Sequence, residues 1–191
     1  MNSARNLVLV GPMGAGKTSI GRRLAERLGL RFVDADREIE QRTGASIGTI
    51  FDCEGEQGFR AREREVLAEL LLGEGQLLAT GGGAVLDADS RQLMRERACV
   101  VHLHASVEEQ LRRLARDRSR PLLQRPDRAA VLQRLAETRA PLYAQVAHLR
   151  IDTDHLTSAE SAARLQQLLA EHGVAQSPAA GGATDQASDP A

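Results

Sequence analysis

The chain has 191 residues, a formal net charge of -1, 27% charged residues and 42% hydrophobic ones, enough for one domain with a proper core. The balanced charge argues against a polyanion-binding surface. An aromatic content of 2% with no tryptophan excludes stacking platforms for single-stranded nucleic acid.

Near the N-terminus, Leu7-Val-Leu-Val10 is a short apolar run suited to a buried strand. It is followed by Gly11-Pro-Met-Gly-Ala-Gly-Lys17-Thr18, which fits G-x-x-x-x-G-K-[ST]. Ile20, Leu24, Ala25 and Leu28 then recur at helical spacing, with Gly29 at the C-cap position. Strand, glycine loop and helix N-terminus in that order form an anion cradle. Backbone amides wrap a phosphate, Lys17 reaches the β and γ oxygens, and the Thr18 hydroxyl is placed for Mg²⁺. Composition singles out the same lysine: of 25 basic residues, 24 are arginine and Lys17 is the one lysine. A tight phosphate loop needs a compact ammonium on a slim stem, where a planar guanidinium is too wide.

Further along, Arg31–Asp34 reads as a strand ending in Asp34-Ala-Asp36, with a helical run from Arg37 to Arg42 behind it. In extended backbone the two aspartates share a face. One suits Mg²⁺ through water and the other a hydroxyl proton; alternatively Asp36 simply caps the helix. Gly44 and Gly48 punctuate a short segment through Phe51, and a helix is predicted from about Gln57 to Leu72. Within it, Arg60 and Glu63 stand one turn apart, so the carboxylate can pre-set the guanidinium for an anionic ligand.

Gln76–Thr80 is the third strand, ending in Gly81-Gly-Gly83, which implies a close backbone approach or a turn with positive φ. A helix from Asp87 to Arg97 leads to a fourth strand, Cys99–Leu103. His102 and His104 are read as structural. Ser106-x-x-Glu109 is a capping box, followed by an arginine-rich stretch, Arg116 to Arg128, suited to a lid over phosphates. Asp127 opens a helix to about Arg139 that Pro141 interrupts or restarts, His148–Ile151 is a fifth strand, and Thr157-x-x-Glu160 caps the last helix, to about Gly173. The remainder, 174–191, lacks periodicity and is expected to be a disordered tail. Cys53 and Cys99 stand far apart with no C-x-x-C, which suits a reducing compartment. No signal peptide or membrane-length apolar stretch is present, so a cytoplasmic protein with no membrane or nucleic-acid partner is expected. Alternating strands and helices predict an α/β fold, a five-stranded parallel sheet with helices on both faces and ligands at the carboxyl ends of its strands.

These separated motifs together resemble the shikimate kinases, over roughly Asn6 to Glu171: Gly11–Arg22, Phe32-Val-Asp34-Ala-Asp36-x-x-Ile-Glu40, Arg42-Thr-Gly44, Glu54-Gly-Glu56-x-x-Phe59-Arg60-x-x-Glu63, Gly81-Gly-Gly83, Arg120-Pro-Leu-Leu123 and Arg139-Ala-Pro-Leu-Tyr143. The resemblance implies a single three-layer P-loop kinase domain over 1–173, with a substrate-binding insert at about 35–63 and a mobile lid at about 115–127. It implies ATP bound by Gly14, Ala15, Gly16, Lys17, Thr18 and Ser19, with Arg113 near the adenine and Arg120 on the transferring phosphate. Mg²⁺ falls to Thr18, and through water to Asp34. Shikimate falls to Asp36, Arg60, Gly82 and Arg139, with Glu63 bracing Arg60, and Lys17, Asp36 and Arg120 form the catalytic set. The implied reaction is transfer of the ATP γ-phosphoryl group to the 3-hydroxyl of shikimate by a monomer. A gluconate-type or nucleoside-monophosphate kinase is the alternative enzyme. A GTPase-type switch is disfavoured, because Asp52-Cys-Glu-Gly55 does not follow a strand and no N-K-x-D signature exists.

Overall fold

In a computed structural model, residues 6–115 and 127–174 are described. Five strands, β1 (Asn6–Val10), β2 (Arg31–Asp34), β3 (Gln76–Ala79), β4 (Ala98–His104) and β5 (Leu149–Asp152), form one parallel sheet in the order β2-β3-β1-β4-β5. Among the described residues seven α-helices cover it: α1 (Lys17–Leu28), α2 (Ala35–Thr43), α3 (Ile47–Leu72), α4 (Ala88–Arg97), α5 (Val107–Arg113), α6 (Arg128–Val146) and α7 (Ser158–Glu171).

Strand alternation builds the three layers. Along β1, Leu7 and Leu9 point into a core shared with Leu24, Leu28, Leu165 and Leu169 of α1 and α7. Val8 and Val10 point to the opposite core, with Leu67 and Leu71 of α3, Met94 of α4 and Tyr143 of α6. β1 therefore lies in the middle, buried on both faces, with β3 and β4 on either side. The loops after β1 and its neighbours diverge there and leave a crevice.

Caps behave largely as local chemistry requires. Thr157 and Glu160 form a complete capping box on α7. Ser106 accepts from the Glu109 amide, but the Glu109 side chain does not return to the cap; it turns to Arg112 and Arg113 instead. Half of that expected box is therefore replaced by ion pairing.

Two predicted boundaries are corrected. The segment through Phe51 is helical from Ile47, because the Ser46 hydroxyl accepts from the Thr49 amide and starts a helix. That helix meets the predicted one at a kink, where Gly55 takes φ 69° and ψ -176°, a conformation essentially restricted to glycine. Pro141 neither stops nor restarts α6. It is exposed, as is Glu137, so the carbonyl that loses its amide partner faces water and the helix runs on to Val146.

Candidate functional site

The loop between β1 and α1 carries the phosphate motif. Gly14 and Gly16 have φ of 78° and 89°. Gly16 is the N-cap of α1 and, among the described residues, no side chain caps it, so the first amides of the helix are left for an anion at the groove. Lys17 is folded along its own loop, Nζ donating to the carbonyls of Gly11 and Pro12 at 2.8 Å each. The groove is open to solvent and is lined by Gly14, Gly16, Lys17, Thr18, Ser19, Asp34, Asp36 and Arg113 among others. Ala15 is buried behind the loop.

The two aspartates have separate jobs in the fold. Asp34, not Asp36, caps α2, its Oδ1 accepting from the Arg37 amide at 3.4 Å. Its Oδ2 accepts from the Thr18 hydroxyl at 2.7 Å. The chain turns helical at Ala35, so the shared face expected of extended backbone is not formed. Asp36 instead points toward Gly81 from the first turn of α2.

A smaller cleft of about 720 Å³ lies beside the groove, lined by Asp36, Phe59, Arg60, Glu63, Gly81, Gly82, Gly83 and Arg139 among others. Arg60 Nη1 donates to Glu63 Oε2 at 2.6 Å, and Nη2 to Glu56 Oε1 at 3.2 Å. The expected brace is therefore formed. Burial pushes the Glu63 carboxyl above its usual range, against the opposing pull of Arg60. Glu63 is 4% exposed and Arg139 7%. Glu63 Oε1, Arg60 Nε and Arg139 Nε are buried with no hydrogen-bond partner among the described residues, a set that suits a polar ligand bearing a negative charge.

None of Gly81, Gly82 and Gly83 has positive φ; close approach is the reason for Gly81 and Gly83, while a Cβ on Gly82 would come no nearer than 3.4 Å to any neighbour. A Cβ at position 81 would sit 2.5 Å from Glu63 Oε1 and 2.8 Å from Asp36 Oδ1, and one at position 83 would collide with the Arg60 guanidinium. The cleft's own charged side chains press against this backbone.

Arg113 lines the groove, and its guanidinium is engaged by protein. Nη1 donates to Gly14 O at 3.0 Å and to Thr153 Oγ1 at 3.1 Å, Nη2 to Leu156 O at 3.4 Å and to Thr153 O, and Nε pairs with Glu109 at 2.7 Å. It straps the glycine loop to the segment after β5. Arg120 and nearly all of the expected lid lie outside the described residues, as do tail residues 175–191.

His102 and His104, read as structural in the sequence, both make contacts within the fold. His104 pairs with Asp152 at 3.1 Å. His102 is buried and stacks on the Tyr143 ring at 4.8 Å. Burial, helped by His104, Arg150 and Lys17, pushes its pKa from 6.5 down to about 4. A histidine with a lowered folded pKa takes its proton in the unfolded chain first. The stability from burying it neutral is complete above about pH 6.5 and is lost as pH falls toward about 4. His102→Phe, which keeps an aromatic ring there, should flatten this part of the pH–stability profile. Thermal melts of both proteins between about pH 7.5 and pH 4.5 check this; parallel profiles would contradict it.

The residues present fit nucleotide and metal. Among the described residues no group of three or more His, Cys, Asp or Glu forms a cage for a metal. Mg²⁺ seldom uses such a cage; it keeps several waters and takes phosphate oxygens with one or two protein ligands. The Thr18 hydroxyl beside the Asp34 carboxylate meets that need at the foot of the phosphate cradle.

Comparison with known proteins agrees. A family model described as shikimate kinase matches residues 13–170. A shikimate kinase of Stenotrophomonas maltophilia is 61% identical over 170 residues, covering 89% of this chain and 94% of the relative. One from Xanthomonas campestris is 56% identical over 180 residues, covering 94% and 100%. The solved structure of a shikimate kinase from Acinetobacter baumannii in complex with shikimate superposes with a TM-score of 0.86 at 48% identity, covering 88% of this chain and 94% of that one. The chain therefore belongs to the shikimate kinase family, phosphotransferases that use ATP and Mg²⁺.

Proposed function

We propose that this chain transfers the γ-phosphoryl group of ATP to the 3-hydroxyl of shikimate, on the route to the aromatic amino acids. The observation that carries this reading is the junction of the two cavities. Met13, Asp36, Ile47 and Gly82 line both the phosphate groove and the arginine-lined cleft. A carboxylate there can face an acceptor hydroxyl on one side and the outermost phosphate on the other.

Arg60 and Arg139 hold the substrate carboxylate, Glu63 keeps Arg60 in place, and Gly82 contributes backbone. Asp36 orients the 3-hydroxyl and takes its proton as the new O–P bond forms and the bond between the γ-phosphorus and its bridging oxygen breaks, releasing ADP. Lys17 and the amides of Gly14–Ser19 neutralise charge on the phosphates. Thr18, and Asp34 through water, would hold Mg²⁺, which when bound neutralises phosphate oxygens. Arg120, from the expected lid, stabilises the transferring phosphate. Arg113, held in its strap on the glycine loop, lies near the adenine as part of the wall of the nucleotide groove. The insert at about 35–63 and the lid at about 115–127 belong to one domain spanning 1–173. The enzyme acts as a cytoplasmic monomer with neither nucleic acid nor membrane as partner; among the described residues no helix is long and apolar enough to cross a membrane.

A coupled ADP assay on shikimate, gluconate and a nucleoside-monophosphate panel tests the assignment. ADP release should require shikimate. Equal release without it, or with gluconate in its place, would overturn the reading.

A further inference from the structure

The three glycines before α4 have no side chains to hold them, so every constraint on their backbone comes from elsewhere. Two of their carbonyls are held locally: Gly81 O accepts from the Ala84 amide at 3.2 Å, and Gly83 O from the Leu86 amide at 2.9 Å. The middle carbonyl, Gly82 O, accepts instead from the Tyr143 hydroxyl at 2.6 Å, across 61 residues of sequence. That bond fixes the plane of the Gly82–Gly83 peptide at the wall of the arginine-lined cleft.

The same peptide lies beside an arginine of the cleft. Arg139 stands one turn earlier than Tyr143 on α6, and its Nη1 is 3.5 Å from where a Cβ on Gly82 would sit. Tyr143 is itself 3% exposed and stacked on His102 of β4 at 4.8 Å. Burial pushes its pKa up to about 12, so it remains a hydrogen-bond donor throughout the working pH range. One phenol oxygen therefore holds the glycine wall in place beside an arginine of the cleft.

We infer that Tyr143 is a positioning residue for the substrate carboxylate, its hydroxyl fixing the Gly82 peptide against which the Arg139 guanidinium packs. This rests on the shikimate kinase reading. Tyr143 does not contact the transferring phosphate; its effect is confined to how well the clamp is organised before substrate arrives.

Tyr143→Phe removes that oxygen and keeps the ring against His102. The loss leaves Gly82 O, a partly buried acceptor, without its donor, a defect expected to change affinity about tenfold. The shikimate KM should rise about tenfold while kcat stays within about twofold and the ATP KM is unchanged. Shikimate methyl ester, which lacks the carboxylate charge, supplies the readout that general loosening would not move: the preference for the acid over the ester should narrow by a similar factor. An unchanged shikimate KM, or equal losses for acid and ester, would overturn the inference. Should Tyr143→Phe fail to fold, His102→Phe with Tyr143 retained should leave acid-over-ester preference at the wild-type value, and a narrowed preference there would count against the hydroxyl. Wild-type enzyme inactive on shikimate in the same assay would instead reject the function, so the two failures are separable.

Discussion

Asp36→Asn should lower turnover at least ~100-fold while nucleotide affinity stays near that of the wild type. A positioned general base contributes roughly 10²–10⁴ in rate, and among the described residues Asp36 is the one carboxyl side chain that lines both cavities. The substitution keeps volume and hydrogen-bonding reach but removes the basic oxygen and the charge. Asp34, two residues away, cannot substitute. Its oxygens are committed to the Arg37 amide and the Thr18 hydroxyl. Steady-state turnover together with a nucleotide-binding titration checks this. Turnover near the wild-type value would remove Asp36 from the reaction centre.

Lys17→Ala should cost about 10²–10³ in turnover, the usual penalty for deleting one preorganised donor aimed at developing charge. Lys17→Arg should not rescue it. Nζ sits within 2.8 Å of two carbonyls of its own loop, space that suits a point ammonium and not a planar fork. This is the physical content of a composition with 24 arginines and one lysine. The same scarcity gives an independent readout: an amine-acylating reagent can modify only Lys17 and the N-terminus. Mg-ATP should protect Lys17, as peptide mass analysis would reveal. Full activity in Lys17→Arg, or no protection, would contradict the phosphate role.

What was legible in the sequence is what local spacing encodes. The glycine loop, the Arg60–Glu63 brace, the cap at Thr157 and the five parallel strands each follow from residues within a few positions of one another. Close packing around Gly81–Gly83 was partly legible, since three successive glycines exceed what a turn requires; which side chains press on them was not. The misread boundaries have local causes that were open to a closer reading: Ser46-x-x-Thr49 starts a helix, and Gly55 joins it to the next at a backbone angle other residues avoid. Partnerships between distant segments were out of reach. Nothing within a few residues of Arg113 points to Gly14 or Thr153, and nothing near Tyr143 points to the Gly82 carbonyl. Those contacts depend on strand order, which places β1 between β3 and β4 and gathers the loops that follow them.

The central claim is geometric: one carboxylate stands between a phosphate cradle and an anion clamp. A crystal structure with Mg²⁺, a non-hydrolysable ATP analogue and shikimate measures this directly. The account predicts the β-phosphate within the Gly11–Thr18 loop in contact with Lys17 Nζ, the shikimate carboxylate on Arg60 and Arg139, and the 3-hydroxyl within hydrogen-bonding distance of Asp36, facing the γ-phosphorus. Shikimate seated away from the two arginines, or its hydroxyl turned from Asp36, would contradict it.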